Sequence, residues 1–330
     1  YRSSEGTLAV TIHEADGKRI VEIHGRHWGP GGFVEYSRFE TPYSRELIQA
    51  ILEVKGETFL RDEIDRAEDP DRIARPLAAL IRRFTDLEGK DLLDFGAGCG
   101  GSSLILARLG ARVTSVEPVE AFVRVARLRA RDAGLEGRIR ALHVPDTRQL
   151  PFPDGAFDVV TANGVLEHIP PALRAPCLRE MWRVLRRGGH LFIYESPNRL
   201  WPVDHHTTGL PLIPYLPPRW AFRLARAWSD RVEPTETLEN LVGRGMIGVT
   251  YWEVLRALPR GEARCLNLED GQDVPLFLAQ TTAGVRNPLR RALKTAVYRA
   301  LDRAVCRPLG IPPAAFFPLL ALCFRKEGSR

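Results

Sequence analysis

DLLDFGAGCGGSS, residues 91–103, is the stretch that decides the fold of this 330-residue chain. Its first five residues are mainly apolar, which is typical of a strand buried in a parallel sheet. The glycines that follow allow the backbone to turn sharply and to approach a ligand without interference from a Cβ atom. Ser102 and Ser103 then open a helix that ends near Leu109, with Gly110 as its stop signal. The stretch therefore predicts a strand, a loop for a nucleotide-type ligand and a helix.

Strands and helices alternate after this glycine loop, which predicts an α/β fold. Predicted strands cover 112–116, 139–144, 157–162 and 190–195, and predicted helices cover 121–133 and 171–187. Beyond Ser196 six prolines interrupt an aromatic stretch that no sheet would accept, so an insertion or lid is expected there. The chain then returns to a helix at 251–258, a strand at 263–268, a helix at 288–305 and a terminal strand at 319–325.

The N-terminal part predicts an added β element. Residues 7–13 and 19–24 alternate apolar and polar side chains on either side of Asp16-Gly17, which is a hairpin signature. Residues 44–54 follow a helical pattern. Asp69-Pro70 is an N-cap and first-turn pair for a helix through Phe84. These helices are expected to cover the sheet edge and the ligand pocket.

Composition favours an ordinary globular protein. The net charge is +6, but only five of the 47 basic residues are Lys. The codon bias of a GC-rich genome explains so many arginines better than a patch that binds nucleic acid does. Five scattered cysteines form no C-x-x-C pair, which predicts reduced thiols and a cytoplasmic location. The longest apolar run, 309–324, is too short and too rich in proline to span a bilayer.

The glycine loop also satisfies G-x-G-x-x-G, the fingerprint of dinucleotide-binding loops, at Gly96, Gly98 and Gly101. Asp94, however, lies two residues before the first glycine, where a carboxylate can receive a ligand's ammonium group directly or through water. A pyrophosphate would be repelled by that charge. The loop therefore favours a ligand that carries an ammonium group.

The same stretch resembles the first motif of the class I S-adenosylmethionine (SAM) dependent methyltransferases, of the methyltransferase type 11 or ubiquinone-biosynthesis kind. In that motif an apolar strand and an acid precede G-x-G-x-G, here Gly96, Gly98 and Gly100. The resemblance covers Leu92 to Ser196. It implies SAM as the cofactor and a Rossmann-like fold with a mainly parallel seven-stranded sheet, an antiparallel terminal strand, an N-terminal extension and a lid.

The expected domain organisation has four parts. An N-terminal extension of hairpin and helix covers 1–68, the SAM-binding core 69–196, a lid for the substrate 197–250, and the C-terminal completion of the sheet 251–330.

Polar residues at the carboxyl ends of strands are the candidate ligand contacts, because ligands bind at that edge of an open α/β sheet. Glu117 is placed to accept both ribose hydroxyls, with a solvated Glu as the alternative. The resemblance implies that Asp146 accepts the adenine amino group, although Asp is also a common turn residue. It implies that Asn163 lines the floor between the methionine moiety and the acceptor. The predicted cofactor contacts are Asp94, Gly96, Ala97, Gly98, Gly100, Glu117, Pro118, Asp146, Thr147 and Asn163.

The lid supplies the candidate catalytic residues Asp204, His205 and His206, because it leaves the carboxyl end of a strand where an acceptor must bind. These residues predict a general base or hydrogen bonds to the acceptor, with a packed structural loop as the alternative. No metal is predicted, since the side chains of adjacent histidines diverge and no third ligand is obvious. His168, in the motif L-E-H-I, is expected to be structural rather than catalytic.

The predicted function is methyl transfer from SAM to a small-molecule acceptor, such as a metabolite, sugar or natural-product scaffold, with O-methylation favoured. An NAD-dependent oxidoreductase and a non-catalytic interaction module are the alternatives. No nucleic-acid partner is expected. The basic helix at 288–305 predicts at most weak association with a membrane surface, and a solvated helix face is the alternative. The acceptor atom and the oligomeric state do not follow from the sequence.

Overall fold

The computed structural model describes residues 8–15, 17–29, 32–69, 73–233, 235–282 and 287–328. The strands are β1 (Ala9–Ala15), β2 (Lys18–Gly29), β3 (Gly32–Thr41), β4 (Asp91–Phe95), β5 (Arg112–Glu117), β6 (Ile139–His143), β7 (Phe157–Asn163), β8 (Leu185–Pro197), β9 (Ala263–Cys265) and β10 (Leu319–Lys326). The helices are α1 (Arg45–Glu68), α2 (Arg75–Arg82), α3 (Gly101–Arg108), α4 (Glu120–Asp132), α5 (Pro171–Val184), α6 (Pro218–Trp228), α7 (Leu238–Gly243), α8 (Tyr251–Ala257), α9 (Asn267–Asp270), α10 (Asp273–Thr282), α11 (Pro288–Leu301) and α12 (Arg307–Leu309).

The strands form two sheets, a three-stranded sheet in the order β1-β2-β3 and a seven-stranded sheet in the order β6-β5-β4-β7-β8-β10-β9. Neighbours β4, β5 and β6 are parallel, as are β7 and β8. The terminal strand β10 runs antiparallel to both β8 and β9. The predicted α/β fold with a mainly parallel sheet and an antiparallel terminal strand is confirmed.

The chain folds into two compact units, Tyr1–Leu150 and Pro151–Arg330. In the first unit, β1 and β2 form the predicted hairpin, while Thr7 and Asp16 lie outside the described residues. The sequence did not predict β3, which pairs antiparallel with β2. Apolar side chains from this sheet, including Val21 and Phe39, are buried together with Leu47 and Ile48 of α1.

Helix α1 is longer than the predicted helix at 44–54. Gly56, with a φ of 69°, interrupts the helical backbone, and the chain then resumes a helix to Glu68. Asp69 consequently caps the end of α1, where its N–H donates to the Asp65 carbonyl, and is not the N-cap of the next helix. The predicted N-cap was wrong, since Ala74 is the N-cap of α2. The predicted helix end near Val54 was wrong because Gly56, in a left-handed conformation, kinked the helix instead of ending it. Pro70 lies outside the described residues.

A buried ion pair joins α1 to α4 in the first unit. The Arg129 guanidinium is fully buried, and its Nη2 lies 2.9 Å from Glu63 Oε1. Burial alone lowers the pKa of Arg129, but the nearby Glu63 carboxylate more than offsets this effect and the pKa is raised. Nε and Nη1 of Arg129 have no hydrogen-bond partner among the described residues. The Glu63 carboxylate is therefore the main compensation for the buried charge, and the Glu63 carbonyl and the Tyr43 ring lie beside the guanidinium.

In the second unit, the predicted lid forms a small core of its own. Helices α6 and α7 pack around a buried apolar cluster that includes Ile213, Ala225, Leu241 and Met246. No helix among the described residues is both long enough and apolar enough to span a bilayer.

We predict that Glu63→Gln lowers the free energy of unfolding by about 3–5 kcal/mol, because it leaves the buried Arg129 charge without its partner. Urea denaturation measures the change. Glu53→Gln is the matched control, since Glu53 also lies on α1 and pairs with an arginine of α4, Arg124, at 2.9 Å, but on the exposed surface. The control should lose about 0–1 kcal/mol. Equal losses in the two variants would contradict the assignment.

Candidate functional site

Asp94, at the end of β4, holds the start of helix α3. Its side chain is fully buried, and Oδ2 accepts hydrogen bonds from the hydroxyl groups of Ser102 at 2.8 Å and Ser103 at 2.6 Å. The carboxylate thus closes the loop across the glycines. The predicted contact with a ligand's ammonium group stays a prediction, and the structure adds this internal role.

Backbone hydrogen bonds fix the glycine loop against β5. The N–H groups of Gly96 and Ala97 both donate to the Val116 carbonyl, and the N–H of Gly98 donates to Glu117 Oε2 at 3.0 Å. Gly96, Gly98 and Gly100 all have positive φ, a conformation that side chains disfavour.

The glycines of the loop differ in what surrounds them. A Cβ atom on Gly100 would lie 2.8 Å from the Ala126 Cβ, so this glycine is required for packing against α4. A Cβ on Gly98 would meet no atom within 4 Å. Gly98 therefore borders open space, and its lack of a side chain is not explained by packing within the described residues.

Glu117, the last residue of β5, presents its carboxylate to the same loop. Besides the Gly98 N–H, it accepts the N–H of Val119, on Oε1 at 3.2 Å. Burial raises the pKa of Glu117 above its usual value of 4.5, although the two backbone N–H groups act to lower it. Each carboxylate oxygen has two lone pairs, so each retains one that can accept a ligand hydroxyl. The side chain of Val119 is exposed.

Asp146 lies on an exposed turn after β6 and is paired with Arg148. Its Oδ1 accepts from the Arg148 backbone N–H and Nε, and its Oδ2 accepts from Nη2 at 2.8 Å. These hydrogen bonds lower the pKa of Asp146, so the group is an anion at neutral pH. Thr147 is partly buried beside it, and Pro118 is exposed after Glu117. The first unit thus brings the glycine loop and Glu117 into direct contact, while Asp146 forms a separate exposed turn.

Asn163 belongs to the second unit, where it ends β7. Its Oδ1 atom is buried and has no hydrogen-bond partner among the described residues. An unpaired buried polar atom costs about 1–3 kcal/mol, so a ligand that donates a hydrogen bond there would be favoured. The role of Asn163 as a cofactor contact stays a prediction.

The three predicted catalytic residues have different surroundings. Asp204 is buried, and its carboxylate accepts the N–H groups of Thr207 and Thr208 and the Thr208 hydroxyl, so it stabilises the turn that follows. His205 is exposed, and its carbonyl accepts a hydrogen bond from Arg231. His206 is exposed as well, but its ring lies beside that of His168.

His168 and His206 form a polar cluster with Glu167 that the sequence analysis did not predict. The ring centroids of the two histidines are 5.7 Å apart, and the three side chains offer ligand atoms within 4.8 Å of one another. Nδ1 of His168 donates to the Gly243 carbonyl at 2.7 Å, which leaves Nε2 as the proton-accepting nitrogen of the neutral ring. Glu167 is buried, and its Oε2 accepts the Ser196 hydroxyl. We name these three residues the Glu-His-His cluster.

A cavity of about 280 Å³ lies within the lid. Its lining is mainly apolar and includes Ile213, Leu216 and Met246, with Arg199 as a charged member. The backbone segment 243–248 contributes to the cavity and to the Glu-His-His cluster, because Gly243 binds His168 while Met246 lines the cavity. An apolar cavity with a few polar groups is typical of small-molecule sites.

A family profile described as a methyltransferase domain matches residues 93–193. The matched range begins in β4 and ends in β8, so it contains the glycine loop, Glu117, Asp146 and Asn163. Residues 93–193 form a class I SAM-dependent methyltransferase domain. The resemblance inferred from the glycine loop is thereby confirmed.

Two of the curated proteins to which this chain is similar are methyltransferases by name. A ubiquinone biosynthesis O-methyltransferase from Xanthomonas oryzae pv. oryzae is 35% identical over 132 residues, which are 38% of this chain and 54% of the relative. A demethylmenaquinone methyltransferase from Beutenbergia cavernae is 34% identical over 154 residues, 47% of this chain and 58% of the relative. The chain thus spans little more than half the length of these relatives.

Among solved structures, a geranyl diphosphate C-methyltransferase from Streptomyces coelicolor A3(2) is similar to 77% of this chain. The likeness covers 80% of that structure, with 16% sequence identity and a TM-score of 0.42.

We predict that Gly98→Val abolishes SAM binding, because the valine side chain would fill the open space beside the loop. Isothermal titration calorimetry measures binding, and circular dichroism confirms that the variant is folded. Gly134→Val is the matched control, since Gly134 also has a positive φ and also borders no atom within 4 Å, but follows α4. The control should bind SAM like the parent protein. Unchanged affinity in a folded Gly98→Val variant would remove this loop from the site.

Proposed function

We propose that this chain transfers the methyl group of SAM to a small-molecule acceptor, with oxygen favoured as the acceptor atom. The open space beside Gly98, bordered by the Glu117 carboxylate, is the observation that carries the proposal. The positive φ of Gly98 accounts for the glycine itself, and the open space beside it, next to the Glu117 carboxylate, leaves room for a ligand against the backbone of the loop.

The residues of the first unit fit SAM by their chemistry. Glu117 has one remaining acceptor site on each oxygen, which suits the two adjacent hydroxyls of a ribose. Oδ2 of Asp146 likewise keeps one acceptor site for an amino group such as that of adenine. When bound, SAM supplies a methyl group on a sulfonium that is already activated for displacement. The protein then has to position the two reactants, exclude water and accept a proton where the acceptor is a hydroxyl.

The acceptor class follows from the second unit and from the relatives. The cavity in the lid suits a compact molecule with an apolar body, and Arg199 offers it one positive charge. The relative from Xanthomonas oryzae is named an O-methyltransferase and the relative from Beutenbergia cavernae acts on demethylmenaquinone by its name. These observations favour a hydroxylated aromatic or similarly apolar acceptor over a sugar.

His206 is the proposed general base, and His168 is its neighbour in the Glu-His-His cluster. The Gly243 carbonyl holds the proton of His168 on Nδ1, so Nε2 is the unprotonated nitrogen of the neutral ring, and it lies 3.8 Å from Glu167 Oε1. His206 lies next to His168, and both histidines are exposed while Glu167 is buried. Asp204 positions this part of the lid through Thr207 and Thr208 and has its carboxylate occupied in doing so. Of the three lid residues predicted from the sequence, His206 is therefore the one proposed to accept a proton.

We predict that the protein binds SAM and not NAD. Asp94 and Glu117 place two carboxylates at the glycine loop, which suits a ligand with an ammonium group and a ribose and disfavours a pyrophosphate. Calorimetry with both ligands tests this, and transfer of label from methyl-labelled SAM to a panel of hydroxylated aromatic compounds tests the activity. Binding of NAD without SAM would support an oxidoreductase. Binding of neither ligand would support a non-catalytic module.

We predict that His206→Ala lowers turnover by about 10²- to 10⁴-fold, the usual effect of losing a general base. The affinity for SAM should stay unchanged, because the proposed cofactor contacts of the glycine loop and Glu117 lie on other elements. His205→Ala is the matched control, since His205 is the exposed neighbour that does not join the cluster. Full turnover in His206→Ala, or an equal loss in His205→Ala, would refute the role of His206.

A further inference from the structure

Helix α11 leaves an apolar face open to solvent. Leu289, Leu293 and Val297 are spaced four residues apart, so they lie along one side of the helix. Their exposed fractions are 79%, 67% and 55%, which are high for such large apolar side chains. Ala292, Ala296 and Ala300 are exposed as well and extend the same face. We name these six residues the α11 apolar face.

The opposite side of α11 is firmly packed, so the exposure does not reflect a detached helix. Tyr298 is buried against Phe277 and Phe317, with ring centroids 4.8 Å and 5.8 Å away. Lys294 turns inward and places its Nζ 5.1 Å from the centre of the Phe277 ring. The orientation of α11 is thus set by its inner side, and the α11 apolar face is directed away from this packing.

The charges of α11 are all of one sign. Between Pro288 and Leu301 the helix has four basic residues and no Asp or Glu. Arg290 and Arg299 are exposed and lie on either side of the α11 apolar face, because they are offset from Leu289 by one and ten residues, about 100° and 280° around the helix. An exposed apolar stripe flanked by arginines is the composition of helices that lie in the interface of a lipid bilayer.

We propose that α11 docks on an anionic lipid bilayer. The helix would lie parallel to the surface, with the α11 apolar face at the boundary of the acyl chains and Arg290 and Arg299 at the lipid phosphates. The positive charge of α11 favours an anionic bilayer over a second copy of the chain as the partner of this face. A symmetric dimer through the same face would bring two acid-free basic helices together. The docking surface does not depend on the proposed methyltransferase activity.

Vesicle sedimentation with the full chain tests the proposal. We expect the protein to sediment with vesicles of phosphatidylcholine and phosphatidylglycerol, weakly or not at all with phosphatidylcholine alone, and less at high salt. Arg290→Gln with Arg299→Gln should weaken binding to the anionic vesicles by roughly thirtyfold. Leu289→Ser, Leu293→Ser and Val297→Ser together should weaken it at least about tenfold, because the inserted apolar area is lost.

Arg140→Gln with Arg179→Gln is the matched control, since both arginines are exposed, lie on β6 and α5, and give the same change in net charge. This control should change vesicle binding by less than about threefold, because neither arginine belongs to α11 and a change in net charge alone is screened by salt. The proposal would be overturned if the protein did not sediment with anionic vesicles. It would also be overturned if the triple serine variant bound fully, or if the two arginine pairs gave equal losses. A dimer in light scattering that the triple serine variant converts to a monomer, without vesicle binding, would assign the face to a second copy instead.

Discussion

The hydrogen bonds of the buried Asp94 carboxylate are the interaction on which the candidate site depends. They tie the end of β4 to Ser102 and Ser103 at the start of α3, so the glycine loop between them is closed at both ends. A buried carboxylate is costly unless it is hydrogen-bonded, and the two serine hydroxyls both donate to its Oδ2. With the loop held, the Gly98 N–H can meet Glu117 and the space beside Gly98 stays open.

A second buried charge extends this support to the N-terminal part of the first unit. Arg129 of α4 pairs with Glu63 of α1, and its Nη1 would lie only 3.2 Å from a Cβ on Gly101. This ion pair therefore holds the second half of α1, after the kink at Gly56, close to the glycine loop. Its two residues lie on separate helices, α1 and α4. Because an unpaired buried charge is far more costly than an exposed one, this ion pair makes the packing of α1 specific.

In the second unit, the lid combines a small apolar core with a polar cluster. The segment 243–248 serves both, since Gly243 fixes the tautomer of His168 and Met246 belongs to the apolar core. Gly245 has a φ of 99°, and a Cβ there would lie 3.0 Å from Glu167 and 3.2 Å from His206, so only glycine allows this close approach. The geometry of the Glu-His-His cluster thus depends on the backbone conformation of Gly245, which is distant in sequence from all three members.

The sequence by itself determined the strand, glycine loop and helix at 91–103, the alternation that follows, and the candidates Gly98 and Glu117, because these depend on local backbone freedom and on the order of elements. It did not reveal β3, the continuation of α1 beyond Gly56, or the engagement of Asp94 and Asp204 in internal hydrogen bonds. The tertiary structure alone brought His206 to His168 and Glu167, and left the α11 apolar face uncovered. Contacts between residues far apart in the chain carry no local signal, since they arise only when packing brings separate segments together.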